Sequence, residues 1–153
     1  MTTLTPTAPS PYIRPAGFYE RAAVPQIHEA APAERDWEDL LLAKLGPRGW
    51  GRVHQFRTYY ASGWSEGHRP ALSPRALSAF FGFLKVFTFP SGVIPSVFLT
   101  DGGGIELCWE DEKRRALQVE FTRAGAEFYR EATGQEGELA HGDLPQLLAR
   151  LSS

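Results

Sequence analysis

Hydrophobic positions recur along this chain with two different periods. In residues 36–47, Trp37, Leu40, Leu41 and Leu45 fall at helical spacing, with acidic residues in the first turn and Lys44 in the last. This predicts a short helix capped by Asp36 and stopped by Gly46-Pro47. The next stretch, with Val53, Phe56, Tyr59 and Tyr60, fits a helix face and also permits a strand. A turn-rich connector over residues 62–70 follows. Ser73-Pro74 then supplies an N-cap with proline in the first helical position. Behind it Leu77, Phe80, Phe81 and Leu84 form a helical stripe, widened by Phe83, Val86 and Phe87, up to a stop at Pro90 and Gly92. A helix this apolar is expected to be covered on two sides, by a sheet and by something else.

Beyond residue 96 the period changes to two. Val97-Phe98-Leu99 leads into the turn Asp101-Gly102-Gly103-Gly104. Ile105, Leu107 and Trp109 then alternate with Glu106, Cys108 and Glu110. After a charged turn, Leu117, Val119 and Phe121 alternate with Gln118, Glu120 and Thr122, and a third strand spans residues 126–131. Short turns between alternating strands predict an antiparallel meander, one face apolar and covered by helices, the other polar. A final helix, capped by Asp143, carries Leu147, Leu148 and Leu151. The expected fold is α+β: a meander of three to four strands packed against three to four helices.

Composition divides the chain further. Six of the 12 prolines lie in the first 33 residues, which favours extended backbone there. The expected organisation is therefore a Pro-rich, partly disordered arm over 1–33 and one globular domain over 34–153. Tyr12, Ile13, Phe18 and Tyr19 give the arm apolar anchors that a plain linker does not need. They fit an arm lying on the domain surface or a segment that docks onto another chain. The chain has 153 residues, a net charge of −2 and one cysteine, Cys108. A single cysteine excludes an internal disulfide framework and fits a reducing cytoplasm. The first residues lack the basic start and apolar centre of a signal peptide, and no apolar run approaches the roughly 20 residues that span a bilayer. No membrane is expected as a partner, and near-neutral charge lacks the usual footprint of a nucleic-acid binder.

The search for chemistry yields few sites. His28, His54, His68 and His141 have no metal-ligand spacing, so neither a metal nor a cofactor is expected. Cys108 reads as a half-buried strand residue rather than a nucleophile. The triple glycine after Asp101 is followed by a strand, whereas a phosphate loop leads into a helix. No nucleophile elbow is present. With no catalytic constellation, an enzyme is not the leading expectation, though a deep pocket holding His54 or His68 with carboxylates would revive it. Glu106, Glu110 and Glu120 fall on one strand face, with Glu127 and Glu131 nearby. They form a solvated surface, cross-strand paired with Arg or Lys, or an acidic face that meets a basic partner. Trp50 and Trp64 staple their connectors to the core or anchor an interface, together with Arg69, Phe83 and Phe87. Residues 48–75 combine aromatics with Arg48, Arg52, Arg57, Arg69 and Arg75, the ingredients of a single-strand nucleic-acid surface.

Several turn and packing motifs recur together: Gly63-Trp64-Ser65-Glu66-Gly67, Pro70, Ser73-Pro74-Arg75-Ala76-Leu77, Pro95-Ser96-Val97-Phe98, and Asp101-Gly102-Gly103-Gly104-Ile105 with Leu107 and Trp109. Through them residues 63–125 resemble a loose group of small, largely uncharacterised bacterial proteins. In that group the first motif carries an acid directly after tryptophan, where this chain has Ser65-Glu66. The resemblance implies a helix-plus-meander scaffold and, because such proteins serve as accessory partners and toxin neutralisers in bacterial gene pairs, a binding role. The leading expectation is a non-enzymatic protein-interaction module of antitoxin or immunity type. Its partner would be another protein, encoded in the same operon, or a second copy in a homodimer. The alternative is a nucleic-acid-binding accessory factor using residues 48–75.

Overall fold

The computed structural model describes residues 32–64 and 67–152. The chain divides into two units, Met1–Ala31 and Pro32–Ser153, and the fold is that of the second. Helix α1 spans Pro32–Thr58, α2 Pro74–Val86 and α3 Leu144–Ser152; strands β1 to β5 span Ser96–Leu99, Ile105–Glu110, Ala116–Phe121, Gly125–Arg130 and Gln135–Ala140. The five strands pair antiparallel in chain order, β1-β2-β3-β4-β5. The fold is thus α+β, with a meander of five strands rather than three or four.

α1 corrects two boundaries. It begins before Asp36, which lies inside the helix, and it continues past Gly46-Pro47. The stop signal still acts locally. Gly46 adopts φ 68° and ψ 179°, which breaks the helix, and Pro47, with no N–H to lose, starts a second helical segment. The ambiguous stretch around Val53 and Phe56 is that second segment. Both of these residues are buried, because their spacing turns them to the same side.

α2 starts as its N-cap predicts: Ser73 Oγ accepts from the Ala76 N–H at 3.4 Å. It ends at Val86 with Phe87 as an extended C-cap, so Thr88 and Phe89 leave the helix before Pro90 is reached. The cap is held from outside, since Lys44 Nζ of α1 donates to the Phe87 carbonyl at 2.7 Å. The second cover of this apolar helix is α1, with Trp37 against Phe81 at 4.0 Å between ring centroids. α1 packs on β1, α2 on β2 and β3, and α3 on β4, so the three helices form a layer over one face of the sheet. Val97, Ile105, Leu107, Trp109, Leu117, Val119, Phe121 and Phe128 point into that layer and are buried.

β5 escapes the periodicity because only Leu139 is a large apolar residue at its inward phase. Gly137, directly opposite Phe128, has no side chain of its own. A Cβ added there would lie 3.1 Å from Phe128 Cε1, so the phenyl ring covers the glycine and completes the inner face.

Candidate functional site

The outer face of the sheet carries a row of like charges. Register places Glu106 opposite Glu120, Glu120 opposite Glu127, and Glu127 opposite Glu138. Four carboxylates therefore stand on four successive strands in one row. At the usual spacing of about 4.8 Å between strands the row is about 15 Å long. The expectation of Arg or Lys cross-strand partners is overturned: the partners in this row are glutamates. Like charges directly opposite one another are unfavourable. The consequence falls on Glu127, whose carboxyl is held above its ordinary value by partial burial and by the charges of Glu120 and Glu138.

Glu110 is not part of the row. It pairs with Ala116 at the far end of β2 and β3. Glu131 is also diverted, because its carboxylate accepts from the Ala116 N–H at 2.6 Å. The row gains Glu138 instead, which periodicity missed along with β5. At the β1 end it is continued by Phe98, opposite Glu106, with 38% of its surface exposed and the Arg52 guanidinium 5.0 Å from its ring centroid. Tyr129, which follows the inward-facing Phe128 and so lies on the outer face, is 39% exposed. The neighbouring row holds Cys108, Gln118, Tyr129 and Glu136. Cys108 Sγ donates to Glu106 Oε1 at 3.0 Å, and burial together with that bond pushes the thiol up to about 12. The thiolate is thereby suppressed, as the half-buried structural role requires.

The aromatic candidates sort differently. Phe83 is fully buried, stacked on Phe87 at 4.7 Å and packed near Phe121 and Trp109. It therefore offers nothing to a partner, and its place among the anchors is corrected. Phe87 is half-buried between Phe89 and Trp109, at 5.0 and 5.3 Å. Trp50 is half-buried against the core and stacks on His54 at 5.7 Å. Trp64 and Arg69 are bound into their own connector. Their backbones form a two-way bridge at 3.0 Å, the Arg69 guanidinium lies 5.8 Å from the Trp64 ring, and it pairs with Asp101. Tyr12, Ile13, Phe18 and Tyr19 lie outside the described residues.

The triple-glycine turn is part of the same structure. The Ser73 N–H donates to the Gly103 carbonyl at 2.8 Å, tying the β1–β2 turn to the start of α2. Gly103 has φ 76°, and an added Cβ would lie 2.5 Å from the Ala71 carbonyl oxygen, so a side chain has no place there. The turn is a hairpin connector, not a phosphate loop.

No group of three or more His, Cys, Asp or Glu among the described residues is arranged to hold a metal ion. Nor is any helix among them long and apolar enough to cross a membrane. Comparison with protein-family models, curated proteins and solved structures returned no match.

Proposed function

We propose that this protein is an interaction module that presents its sheet face to a basic patch on another protein. The observation that carries this reading is the row Glu106, Glu120, Glu127 and Glu138. A folded domain gains nothing from aligning four like charges, and local rules broken without structural return mark functional surfaces. A partner that places Lys or Arg along the row would relieve the repulsion on binding. Such complementarity also accelerates encounter through electrostatic steering. Exposed Phe98 and Tyr129 beside the row supply apolar contact. A neutralising partner of a basic enzyme, in the reducing cytoplasm of a bacterium, fits this surface.

Electrostatics also argue against two other partners on this face. A second copy would bring a second row of glutamates, and nucleic acid would bring phosphates; both would be repelled. The nucleic-acid reading of residues 48–75 is weakened further because Arg69 is engaged by Asp101 and Arg52 by Phe98.

The test compares the full chain with a variant carrying Glu→Gln at 106, 120, 127 and 138 as bait in lysate of the native host. The expected result is a basic polypeptide retained by the wild type, released by high salt and absent from the variant. Retention of the same polypeptides by both baits would defeat the proposal. Binding of labelled single-stranded DNA at low salt, unchanged in the glutamine variant, would instead favour the nucleic-acid alternative.

A further inference from the structure

On the opposite side of the sheet, the helical layer is incomplete. Between α2 and α3 it leaves a cleft of about 350 Å³. Phe121 forms part of its floor, Ala79 and Gly82 line the α2 side, and Leu147 lines the α3 side. The cleft exists because α2 turns its smallest residues this way. A Cβ built on Gly82 would meet nothing within 4 Å. Four polar side chains, Arg75, Ser78, His141 and Asp143, stand in its lining, three of them able to carry charge.

Their chemistry is asymmetric. Arg75 is exposed and makes no ion pair among the described residues. His141 Nε2 lies 2.8 Å from the Arg123 carbonyl oxygen. A carbonyl only accepts, so Nε2 carries the hydrogen, and Nδ1 is the ring's remaining position for a ligand. The guanidinium therefore offers a planar set of donors to a carboxylate above an apolar floor. Asp143 limits the total: a second negative charge on the ligand would face this carboxylate.

We propose that the cleft binds a small apolar monocarboxylate, with its hydrocarbon body against Phe121 and Leu147 and its carboxylate on Arg75. The volume is at the lower end of the roughly 300–1,000 Å³ typical of small-molecule sites, which favours a short acyl or aryl chain. This site is independent of the glutamate row, because it lies on the inner face of the sheet.

Octanoate, octanol and octylamine serve as matched probes, read by saturation-transfer NMR on the full chain. Two variants separate the body from the head of the site. Gly82→Leu fills the cleft and replaces a helix-interior glycine by a better helix former, and Arg75→Gln changes only an exposed side chain. Far-UV circular dichroism checks that both fold. Saturable octanoate binding is expected in the wild type, about ten-fold weaker in Arg75→Gln and lost in Gly82→Leu. Octanol and octylamine should each bind about ten-fold more weakly than octanoate. Absence of saturable octanoate binding, equal binding of the alcohol or amine, or unchanged binding in Arg75→Gln would each overturn the proposal.

Discussion

Glu120 and Glu127 face each other directly across β3 and β4, two carboxylates in register with no cation between them in the row. Glu138 stands on the other side of Glu127, so the middle carboxylate meets a like charge from both directions. Partial burial and these two neighbouring charges together raise the proton affinity of Glu127 in the fold.

The raised value makes a pH-dependent prediction. In the unfolded chain the carboxyl titrates near its ordinary 4.5, and in the fold it titrates higher. The native state therefore binds the proton more tightly, and the contribution to stability is full below 4.5 and lost as pH rises through the folded value. Glu127→Gln should abolish this loss and raise stability at neutral pH by about 0.5 kcal/mol. Urea unfolding of both proteins, from below the ordinary carboxyl value up to neutrality, measures it. A variant less stable than the wild type at neutral pH would contradict the like-charge account.

The turn before β2 makes a second prediction. Gly103→Ala places a side chain at positive φ and drives its Cβ onto the Ala71 carbonyl. The expected loss is about 2 kcal/mol or more. Gly102→Ala is the control, because a Cβ there meets nothing within 4 Å and its φ is ordinary. Equal midpoints of chemical denaturation for the two variants would show that the tie between Ser73 and Gly103 is dispensable.

The aromatic core gives a third. Phe83→Ala removes a ring that is fully buried among Phe87, Phe89, Trp109 and Phe121. The cost should be about 3–5 kcal/mol. Tyr59, 81% exposed, should tolerate alanine within about 0.5 kcal/mol. Thermal melting followed by near-ultraviolet circular dichroism reads both.

The thiol gives a fourth. With Cys108 pushed up to about 12, the thiolate is scarce at mildly alkaline pH and alkylation by iodoacetamide should be slow. Glu106→Gln removes the negative acceptor and should speed the reaction, while burial keeps it below the rate of an exposed thiol. An unchanged rate would mean that burial alone controls the sulfur.

Local patterns carried much of this architecture. The cap Ser73-Pro74, the alternation in β2 and β3, and the break at Gly46-Pro47 each act over a few residues, so a linear reading captures them. Phe83 and Phe87 show where that reading stops. A stripe too wide for the sheet looks like an exposed interface until Phe89, beyond the helix, and Trp109 of β2 are seen to pack against both rings. β5 stayed hidden for a related reason, since Gly137 is completed by a ring from the neighbouring strand.

Alternation alone determined that Glu106, Glu110 and Glu120 point away from the core, because successive strand residues face opposite sides. Tertiary structure decided that Glu106 and Glu120 stand in one row with Glu127 and Glu138 while Glu110 does not. Register depends on how each turn closes, and here Asp111 accepts from the Lys113 and Arg115 N–H groups while Thr122 Oγ1 accepts from those of Ala124 and Gly125. The cleft between α2 and α3 is likewise a product of packing. Ala79 and Gly82 are small wherever they occur, and only the placement of α3 leaves space beside them.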